Sequence, residues 1–282
     1  MATVNGERAT ILGCGYVGQA VARQWQDQGL IVTATTTTTG RLTSLAQVAQ
    51  HPVLVTGDDH DALADVLRHQ TVLLVTVGAP SPDAYRETYL HTAETLAAVL
   101  PHTAVAQVIY TGSYAVYGDR QGGKVTEADA LTPTTPKGEI LAKTEQVLLD
   151  MATSERQVCL LRLGGIYGPE RELVKIFRRA AGTTRPGSGN EVTNWIHLDD
   201  IVSAIDFARL QRLGGVYNLV QDSPPTTGEL LHNVMQTNGL APVQWDPDAP
   251  SLRAYNARVS NEKLKQQGYQ FVRPLFPFQQ RP

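Results

Sequence analysis

Three glycines near the start of the chain have the spacing that phosphate binding requires. The segment Gly13-Cys14-Gly15-Tyr16-Val17-Gly18 lies between an apolar run at residues 9–12 and a helix-like run at residues 16–28. In such a strand–turn–helix the first glycine allows the tight turn, the second leaves room for a pyrophosphate, and the third lets the helix pack on the strand. The helix then begins with the amides of Tyr16, Val17 and Gly18 facing the phosphates. The motif predicts a dinucleotide site.

The end of the second predicted strand indicates which dinucleotide. A site for NAD places Asp or Glu there, on the ribose 2′-hydroxyl. This chain has Thr35-Thr36-Thr37-Thr38-Thr39-Gly40-Arg41 instead. Threonine hydroxyls and an arginine can bind a 2′-phosphate, and no carboxylate repels it. The sequence therefore favours NADP(H), held by Thr35, Thr36 and Arg41. NAD is the alternative, with the threonines serving as a polar turn.

Apolar runs alternate with helix-like runs through the first 160 residues. The predicted strands are 9–12, 30–34, 53–55, 71–77, 105–110 and 158–163, and the predicted helices between them are 16–28, 61–69, 84–100 and 138–153. This alternation predicts a parallel sheet covered by helices on both faces, with cofactor loops at the carboxyl ends of the strands.

The pattern is looser after Gly168-Pro169. We expect a basic helical stretch at 173–181, a Gly/Pro/Thr segment at 182–190, a helix at about 199–211, a strand at 216–220, a helix at about 228–237 and an irregular tail from Pro242. Cys14 and Cys159 are expected to be small buried thiols, and the seven histidines lack metal-ligand spacing, so we expect no metal site.

Composition limits the classes of partner. The chain has 282 residues, 42% of them hydrophobic and 18% charged, with a net charge of −3. These values are typical of a globular protein and give no electrostatic reason to expect nucleic acid or an anionic membrane as a partner. We find neither a signal-peptide pattern nor an apolar run long enough to span a membrane, and therefore expect a cytoplasmic protein.

Three later segments carry a resemblance. They are Ile109-Tyr110-Thr111-Gly112-Ser113-Tyr114-Ala115-Val116-Tyr117-Gly118, Leu160-Leu161-Arg162-Leu163-Gly164-Gly165-Ile166-Tyr167-Gly168-Pro169 and Asn194-Trp195-Ile196-His197-Leu198-Asp199-Asp200-Ile201. In this order, after the glycine turn, they resemble the extended short-chain dehydrogenase/reductase family, of the sugar-nucleotide epimerase and dehydratase type. The resemblance covers about residues 9–235, although the glycine spacing GxGxxG differs from the family's usual GxxGxxG.

The resemblance implies an α/β fold with a Rossmann-type doubly wound parallel sheet and a small C-terminal substrate domain. The NAD(P)-binding domain is expected to span 1–166 and about 196–220, and the substrate-binding part about 167–195 and 221–282. Asp58 resembles the family position beside the adenine. Thr76 and Gly78, after the fourth strand, are expected to line the nicotinamide side.

The resemblance also identifies what the chain lacks. The family's hydroxyl residue that polarises the substrate oxygen corresponds to Ser113. Its Tyr-x-x-x-Lys pair is absent, because none of the ten tyrosines has a lysine four positions later. Matching Gly138 and Glu145 to the family places Lys137 in the tyrosine position and Leu141 in the lysine position. Ser113 is either a substrate contact or a loop hydroxyl, and Lys137 is either a proton donor or a solvated residue.

Other candidate residues keep two interpretations. Tyr114 and Tyr117 are alternative proton donors, although Tyr117 is usually a packing residue in the family. Four arginines of the later region form either an anion clamp or a solvated basic surface. They are Arg171, Arg178, Arg179 and Arg185. Asp199 or Asp200 is interpreted as a helix cap, with a catalytic role as the alternative.

The sequence thus predicts an atypical NAD(P)-dependent oxidoreductase or epimerase acting on a small carbonyl or sugar-like substrate. Ser113 and Lys137 are its candidate catalytic residues, and a homodimer is compatible with the pattern. The alternative is a dinucleotide-binding regulator or scaffold that has lost turnover.

Overall fold

A computed structural model describes residues 6–279 of the chain. The strands are β1 (Arg8–Leu12), β2 (Ile31–Thr36), β3 (His51–Leu54), β4 (Val72–Val75), β5 (Gln107–Ser113), β6 (Lys124–Val125), β7 (Gln157–Leu163), β8 (Gly165–Tyr167), β9 (Thr184–Pro186), β10 (Trp195–His197), β11 (Gly215–Leu219), β12 (Gln244–Asp246) and β13 (Arg258–Val259).

The α-helices are α1 (Tyr16–Asp27), α2 (Leu42–Leu45), α3 (His60–Leu67), α4 (Thr92–Val99), α5 (Pro136–Leu149), α6 (Leu173–Phe177), α7 (Leu198–Leu210), α8 (Thr227–Thr237) and α9 (Glu262–Gln266). A π-helical turn, Arg86–His91, precedes α4. Short 3₁₀ helices occupy Thr39–Arg41, Leu100–His102, Tyr114–Tyr117, Arg178–Ala180 and Pro277–Gln279.

Seven strands form the central parallel sheet, in the order β11-β7-β5-β4-β1-β2-β3. Strand β1 lies in the middle, and Ala9 pairs with Val32 of β2 on one side and with Val72 of β4 on the other. Continuous apolar strands such as β4 are buried because helices cover both faces of a parallel sheet. From β1 the chain adds β2 and β3 on one side of the sheet, and then β4, β5, β7 and β11 on the other. This order is the doubly wound Rossmann arrangement. The predicted fold class is confirmed.

Helix α1 shows how sequence spacing determines the packing on this sheet. Its buried residues are Val17, Gly18, Val21, Ala22 and Trp25, which recur at helical intervals along one face. The helix ends because Gly29 adopts a φ of +87°, which lets the Leu30 amide bond back to the Trp25 carbonyl at 2.9 Å. The start of α1 is thereby held at the carboxyl end of β1.

The chain divides into two compact units. The first comprises the described residues up to Ser113 together with Glu139–Arg162 and Val202–Tyr217, and it contains most of the sheet. The second comprises Tyr114–Gly138, Leu163–Ile201 and the described residues from Asn218 onward. The domain limits predicted from the sequence assigned residues 114–138 to the nucleotide-binding part, whereas their contacts are with the second unit.

The second unit is built from three two-stranded parallel pairs, β10-β8, β12-β9 and β13-β6. Its core contains an aromatic cluster in which the Phe276 ring stacks on that of Tyr167 with centroids 5.6 Å apart. The predicted irregular tail from Pro242 is therefore wrong in part, because that region supplies β12, β13 and α9. These elements are too short to produce a periodic pattern, and their partners are distant in sequence.

Other sequence expectations differ from the structure at particular points. The helix predicted at 84–100 is divided into the π-helical turn and α4, and the segment at 182–190 contains β9. Cys14 and Cys159 are buried free thiols, as expected. Within residues 6–279, the helices fall short of the length and apolarity that a membrane span requires.

Candidate functional site

The turn between β1 and α1 has a different requirement at each glycine. Gly13 has a φ of +82°, and a Cβ there would lie 2.7 Å from the Cα of Val77. A Cβ on Gly18 would lie 3.1 Å from both Ile11 and Thr76. These two glycines are thus needed for the turn itself and for close packing of α1 on the sheet.

Gly15 is the exception, because no structural neighbour requires it to be glycine. Apart from its chain neighbours, a Cβ there would meet nothing nearer than the Gly13 carbonyl oxygen at 3.9 Å, and its φ of −88° is negative, with a ψ of −143° at the edge of the extended region. The space beside Gly15 is therefore available to a ligand. The N-cap residue of α1 is Gly15, which has no side chain to cap the first turn, and that turn carries no acidic residue. The positive end of the helix dipole is thus suited to an anion.

Buried Thr35 holds the glycine turn in place. Its hydroxyl accepts a hydrogen bond from the Gly13 amide at 3.0 Å, and its carbonyl accepts one from the Cys14 amide at 2.9 Å. Burial raises the pKa of the Cys14 thiol to about 12, so this cysteine is a packing residue. Tyr16 is half-buried and Val17 is buried, so Val17 can meet a ligand only through its backbone.

The residues after β2 place a cation beside the same turn. The Thr36 hydroxyl accepts from the Thr38 amide at 3.1 Å, so it stabilises the loop, while the residues from Thr37 to Gly40 are exposed. The Arg41 guanidinium donates to the Cys14 carbonyl at 3.0 Å. Arg41 therefore lies next to the glycine turn, at the end of β2 where the sequence predicts recognition of the 2′ position.

The loops after β3 and β4 carry the remaining predicted cofactor residues. Asp58 is exposed and precedes Asp59, which caps α3 by accepting from the Ala62 amide at 3.0 Å. Thr76 donates its amide to the Leu12 carbonyl at 2.9 Å, and Gly78 is exposed with open space beside its Cα. All three predicted residues thus lie at the carboxyl edge of the sheet, where doubly wound folds bind their ligands.

The candidate catalytic residues have different surroundings. Ser113 is the last residue of β5 and is half-buried. Lys137 lies in the first turn of α5 and is exposed, so the burial on which its function as a proton donor would depend is not found. Leu141, one turn later, is only 7% exposed and is a core residue. Lys143 is exposed and lies on another face of the helix.

A buried ion pair supports the first unit near the end of β5. The Arg162 guanidinium donates to both carboxylate oxygens of Glu145, with Nη2 to Oε2 at 2.6 Å and Nε to Oε1 at 3.1 Å. Burial raises the pKa of Glu145, and Arg162 opposes that effect. Burial and the nearby Glu145 carboxylate raise the pKa of Tyr110 well above its usual value. Tyr110 therefore remains a neutral phenol.

The sequence analysis did not identify Arg253 of the second unit. Its guanidinium donates to the Tyr114 hydroxyl at 3.3 Å and to the Thr227 hydroxyl at 3.4 Å, and its Nε is buried without a hydrogen-bond partner. No carboxylate among residues 6–279 pairs with it. A guanidinium held by neutral hydroxyls is suited to binding an anion. The segment around Arg253 lacks periodicity, so no sequence signal identifies this arginine.

The tyrosines considered as proton donors are both buried in the second unit. Tyr117 is fully buried, and its hydroxyl donates to Asn218 at 2.8 Å, which confirms its interpretation as a packing residue. Tyr114 is 7% exposed, stacks edge-on against Tyr255 and accepts from Arg253. Tyr114 is therefore a partner of the guanidinium.

The four arginines predicted as an anion clamp are mostly exposed. Arg171, Arg178 and Arg179 are exposed, and Arg185 is half-buried. Arg178 lines an open groove of about 230 Å³ together with Val174, Lys175, Asn238 and Leu240. The described residues contain no cluster of His, Cys, Asp and Glu that could hold a metal ion.

Asp200 has partners that are distant in sequence. Its buried carboxylate accepts from the backbone amides of Val272 at 2.6 Å and Arg273 at 3.2 Å, which attaches the C-terminal segment to the start of α7. Asp199 lies in the first turn of α7, 3.3 Å from the Arg273 guanidinium and 3.4 Å from the His197 ring. The amides that bind Asp200 are more than 70 residues away, and sequence pattern cannot reveal such partners.

Comparison with known proteins gives consistent results. A model of the NAD dependent epimerase/dehydratase family matches residues 9–219. The chain is 29% identical to Protein YeeZ of Escherichia coli (strain K12), over 95% of this chain and 98% of that protein. A functionally unknown conserved protein from Silicibacter pomeroyi DSS has a similar structure, with a TM-score of 0.75, 25% identity and 95% coverage of both chains. UDP-glucose 4-epimerase of Thermus thermophilus, solved with NAD, gives a TM-score of 0.78 at 21% identity and 93% coverage of both chains.

Proposed function

The chain belongs to the NAD-dependent epimerase/dehydratase family, and on that premise we propose that it is an NADP(H)-dependent oxidoreductase or epimerase acting on an anionic, sugar-like substrate. The observation that carries the proposal is the turn between β1 and α1. Close packing within the fold requires Gly13 and Gly18, whereas the space beside Gly15 is open. A pyrophosphate at the start of α1 gives a physical reason for that glycine.

The residues around the turn fit a dinucleotide. The backbone of Gly15, Tyr16, Val17 and Gly18 would hold the pyrophosphate at the start of α1. Thr76 and Gly78, in the loop after β4, would lie along the nicotinamide half. When bound, the nicotinamide supplies or accepts a hydride.

The proposed preference for the 2′-phosphate is based on Arg41. No carboxylate occurs from Thr35 to Arg41, and the guanidinium is held beside the turn by the Cys14 carbonyl. A phosphate would gain charge-assisted hydrogen bonds from Arg41 and from the exposed threonines. Thr35 and Thr36 contribute indirectly, since their hydroxyls hold the surrounding backbone. NAD is the alternative cofactor.

The proposed substrate class is based on Arg253. A half-buried guanidinium whose partners are two hydroxyls offers an anion the fork that phosphate or carboxylate oxygens match. A sugar nucleotide carries such an anion, and the T. thermophilus protein is named for a substrate of this class. Ser113 would hydrogen-bond the reacting oxygen of the substrate, and Lys137 is the remaining candidate for proton transfer.

A second candidate function follows from Leu141. The position that the family resemblance assigns to a lysine holds a buried leucine, and Lys137 is exposed. A chain without the Tyr-x-x-x-Lys pair that still binds the dinucleotide would be a regulator or a scaffold.

One assay separates the two functions. We would incubate the protein with NADPH or NADH and a panel of aldehydes, ketones and sugar nucleotides, follow the nicotinamide absorbance, and separate the sugar products to detect isomers. If the wild type turns over a sugar nucleotide and Ser113→Ala does so more slowly, the result supports the enzymatic function. Binding of NADPH without any change in substrate supports the regulator.

A pair of matched variants tests the proposed substrate class. Arg253→Met should remove turnover of sugar nucleotides, while Arg258→Met, which changes an exposed arginine in the same segment of the chain, should not. Equal activity of the two variants would contradict an anion site at Arg253.

A further inference from the structure

Tyr89 is a phenol at the carboxyl edge of the first unit. It lies in the π-helical turn Arg86–His91 that precedes α4. Its ring centroid is 5.1 Å from that of Tyr85, and its oxygen lies 3.5 Å from the amide nitrogen of Ala79, in the loop after β4. The π-helical turn and the loop after β4 thus meet at this side chain. Single π-helical turns of this kind are frequent at functional sites.

The backbone under Tyr89 is tightly packed. A Cβ on Gly57, in the loop after β3, would lie 1.9 Å from the hydroxyl oxygen of Thr92, the first residue of α4. Only glycine permits this approach, so the start of α4 lies directly against that loop. The backbone that carries Tyr89 is therefore held in place.

The hydrogen bonds of Tyr89 are incomplete. Its oxygen accepts the long hydrogen bond from the Ala79 amide. A phenol also has one proton to donate. Among residues 6–279 that proton has no acceptor. Burial raises the pKa of Tyr89, so the hydroxyl is protonated at neutral pH and able to donate.

The position of the hydroxyl indicates which ligand it would meet. Ala79 follows Thr76 and Gly78 at the end of β4, which is the neighbour of β1 in the sheet. The strand order reverses between β1 and β4, and doubly wound folds bind their ligands at that point. The glycine turn would hold the pyrophosphate after β1. The half of the dinucleotide that extends toward β4 is the nicotinamide half.

We propose that Tyr89 is a binding residue whose hydroxyl donates a hydrogen bond to an acceptor oxygen in the nicotinamide half of the cofactor. The acceptor is a carboxamide or ribose oxygen, since the phenol has a single proton to give. This inference rests on the proposed function, because it requires that the chain binds a nicotinamide dinucleotide.

The test compares whole cofactors with their adenosine halves. Calorimetry would measure the affinities of the wild type and Tyr89→Phe for NADPH and NADH, and for 2′,5′-ADP and ADP, which lack the nicotinamide half. We expect Tyr89→Phe to bind its preferred whole cofactor about 3- to 10-fold more weakly, the loss typical of one neutral hydrogen bond. Its affinity for the matching fragment should be unchanged.

Tyr110→Phe is the matched control. It removes a phenol oxygen from the same unit, and that oxygen is buried without a hydrogen-bond partner. Tyr110→Phe should bind both the whole cofactor and the fragment as the wild type does.

Three results would overturn the inference. They are an unchanged affinity of Tyr89→Phe for the whole cofactor, an equal loss for cofactor and fragment, and an equal loss in Tyr110→Phe. A wild type that binds neither NADPH nor NADH would overturn the proposed function as well, so the two failures are distinguishable.

Discussion

Arg41 is the residue that would distinguish the two dinucleotides. Its guanidinium is held by the Cys14 carbonyl at 3.0 Å, next to the turn that would bind the pyrophosphate. We predict that Arg41→Ala weakens NADPH binding by about 1.5 to 3 kcal/mol, the range for a hydrogen bond to a charged group. Binding of NADH, which has no 2′-phosphate, should be nearly unchanged. Calorimetric titration of both cofactors measures the difference.

Arg68→Ala provides the control for this measurement. Arg68 is exposed and pairs with Asp65 on α3, away from the end of β2. Its replacement should leave both affinities unchanged. Equal losses of NADPH and NADH binding in Arg41→Ala would show that Arg41 supports the turn without reading the 2′ position.

His197 should make the stability of the protein depend on pH. Its Nδ1 accepts from the Asp199 amide at 3.1 Å, so the ring is neutral when it makes this bond. Burial lowers the pKa of His197; Arg273 acts in the same direction, and the Asp199 carboxylate opposes them. The unfolded chain therefore binds a proton at a higher pH than the folded chain. Stability from this group is present above about pH 6.5 and is lost as the pH falls toward the folded pKa.

Urea unfolding between about pH 7.5 and pH 5 tests this prediction. The free energy of unfolding of the wild type should fall more steeply toward acid pH than that of His197→Gln. His102→Gln, at an exposed position, should follow the wild type. Parallel curves for the wild type and His197→Gln would contradict the shift.

The sequence predicted residues of the site only where a local motif contains them. Gly13, Gly15 and Gly18 could be interpreted from their spacing, because the strand–turn–helix motif that contains them is local. Arg253 could not, because its hydroxyl partners, Tyr114 and Thr227, are far away in sequence. For the same reason the sequence did not show that the Thr35 hydroxyl is already bound to Gly13.

At the scale of elements, the Glu145–Arg162 pair joins α5 to β7. Both side chains are at most 5% exposed. Arg162→Met would leave a buried carboxylate without its cation, so we predict a loss of about 3 to 5 kcal/mol in the free energy of unfolding. Chemical denaturation, with the transition midpoint and slope fitted together, provides the measurement.

A double-mutant cycle supplies the control. Glu145→Gln combined with Arg162→Met removes both charges, and its stability should lie well above that of Arg162→Met alone. If the losses of the two single variants simply added in the double variant, the pair would not be coupled.

The sequence predicted long, periodic elements and missed short, non-local ones. The strands β1, β4 and β7 are apolar runs whose burial on both faces is visible in the sequence. The two-residue pair β6 and β13 joins Lys124 to Arg258 and has no periodicity to detect. The π-helical turn before α4 was also missed, because its residues fit an ordinary helical pattern.

The whole molecule consists of a Rossmann-type unit and a smaller second unit. It belongs to a family that is named for its dependence on NAD. Any ligand that binds only the folded state stabilises it, by about 2.7 kcal/mol at a hundred times its dissociation constant. Saturating NADPH should therefore raise the melting temperature of the wild type. Arg68→Ala, whose change lies outside the site, should show the same rise, and a wild type whose melting temperature is unmoved by NADPH would contradict the prediction.

We propose that the turn between β1 and α1 binds the dinucleotide. The variant Gly15→Val tests this binding directly. Apart from its chain neighbours, a Cβ at Gly15 meets no atom closer than 3.9 Å, and the residue has a negative φ, so the variant should fold. It would occupy the space proposed for the pyrophosphate. Gly13→Ala, at a φ of +82° and against Val77, should by contrast be destabilised.

Titration calorimetry of the wild type and Gly15→Val with NADPH is the measurement. We predict binding by the wild type and none by Gly15→Val, with matching circular dichroism spectra for the two proteins. An equal NADPH affinity in the two folded proteins would contradict it.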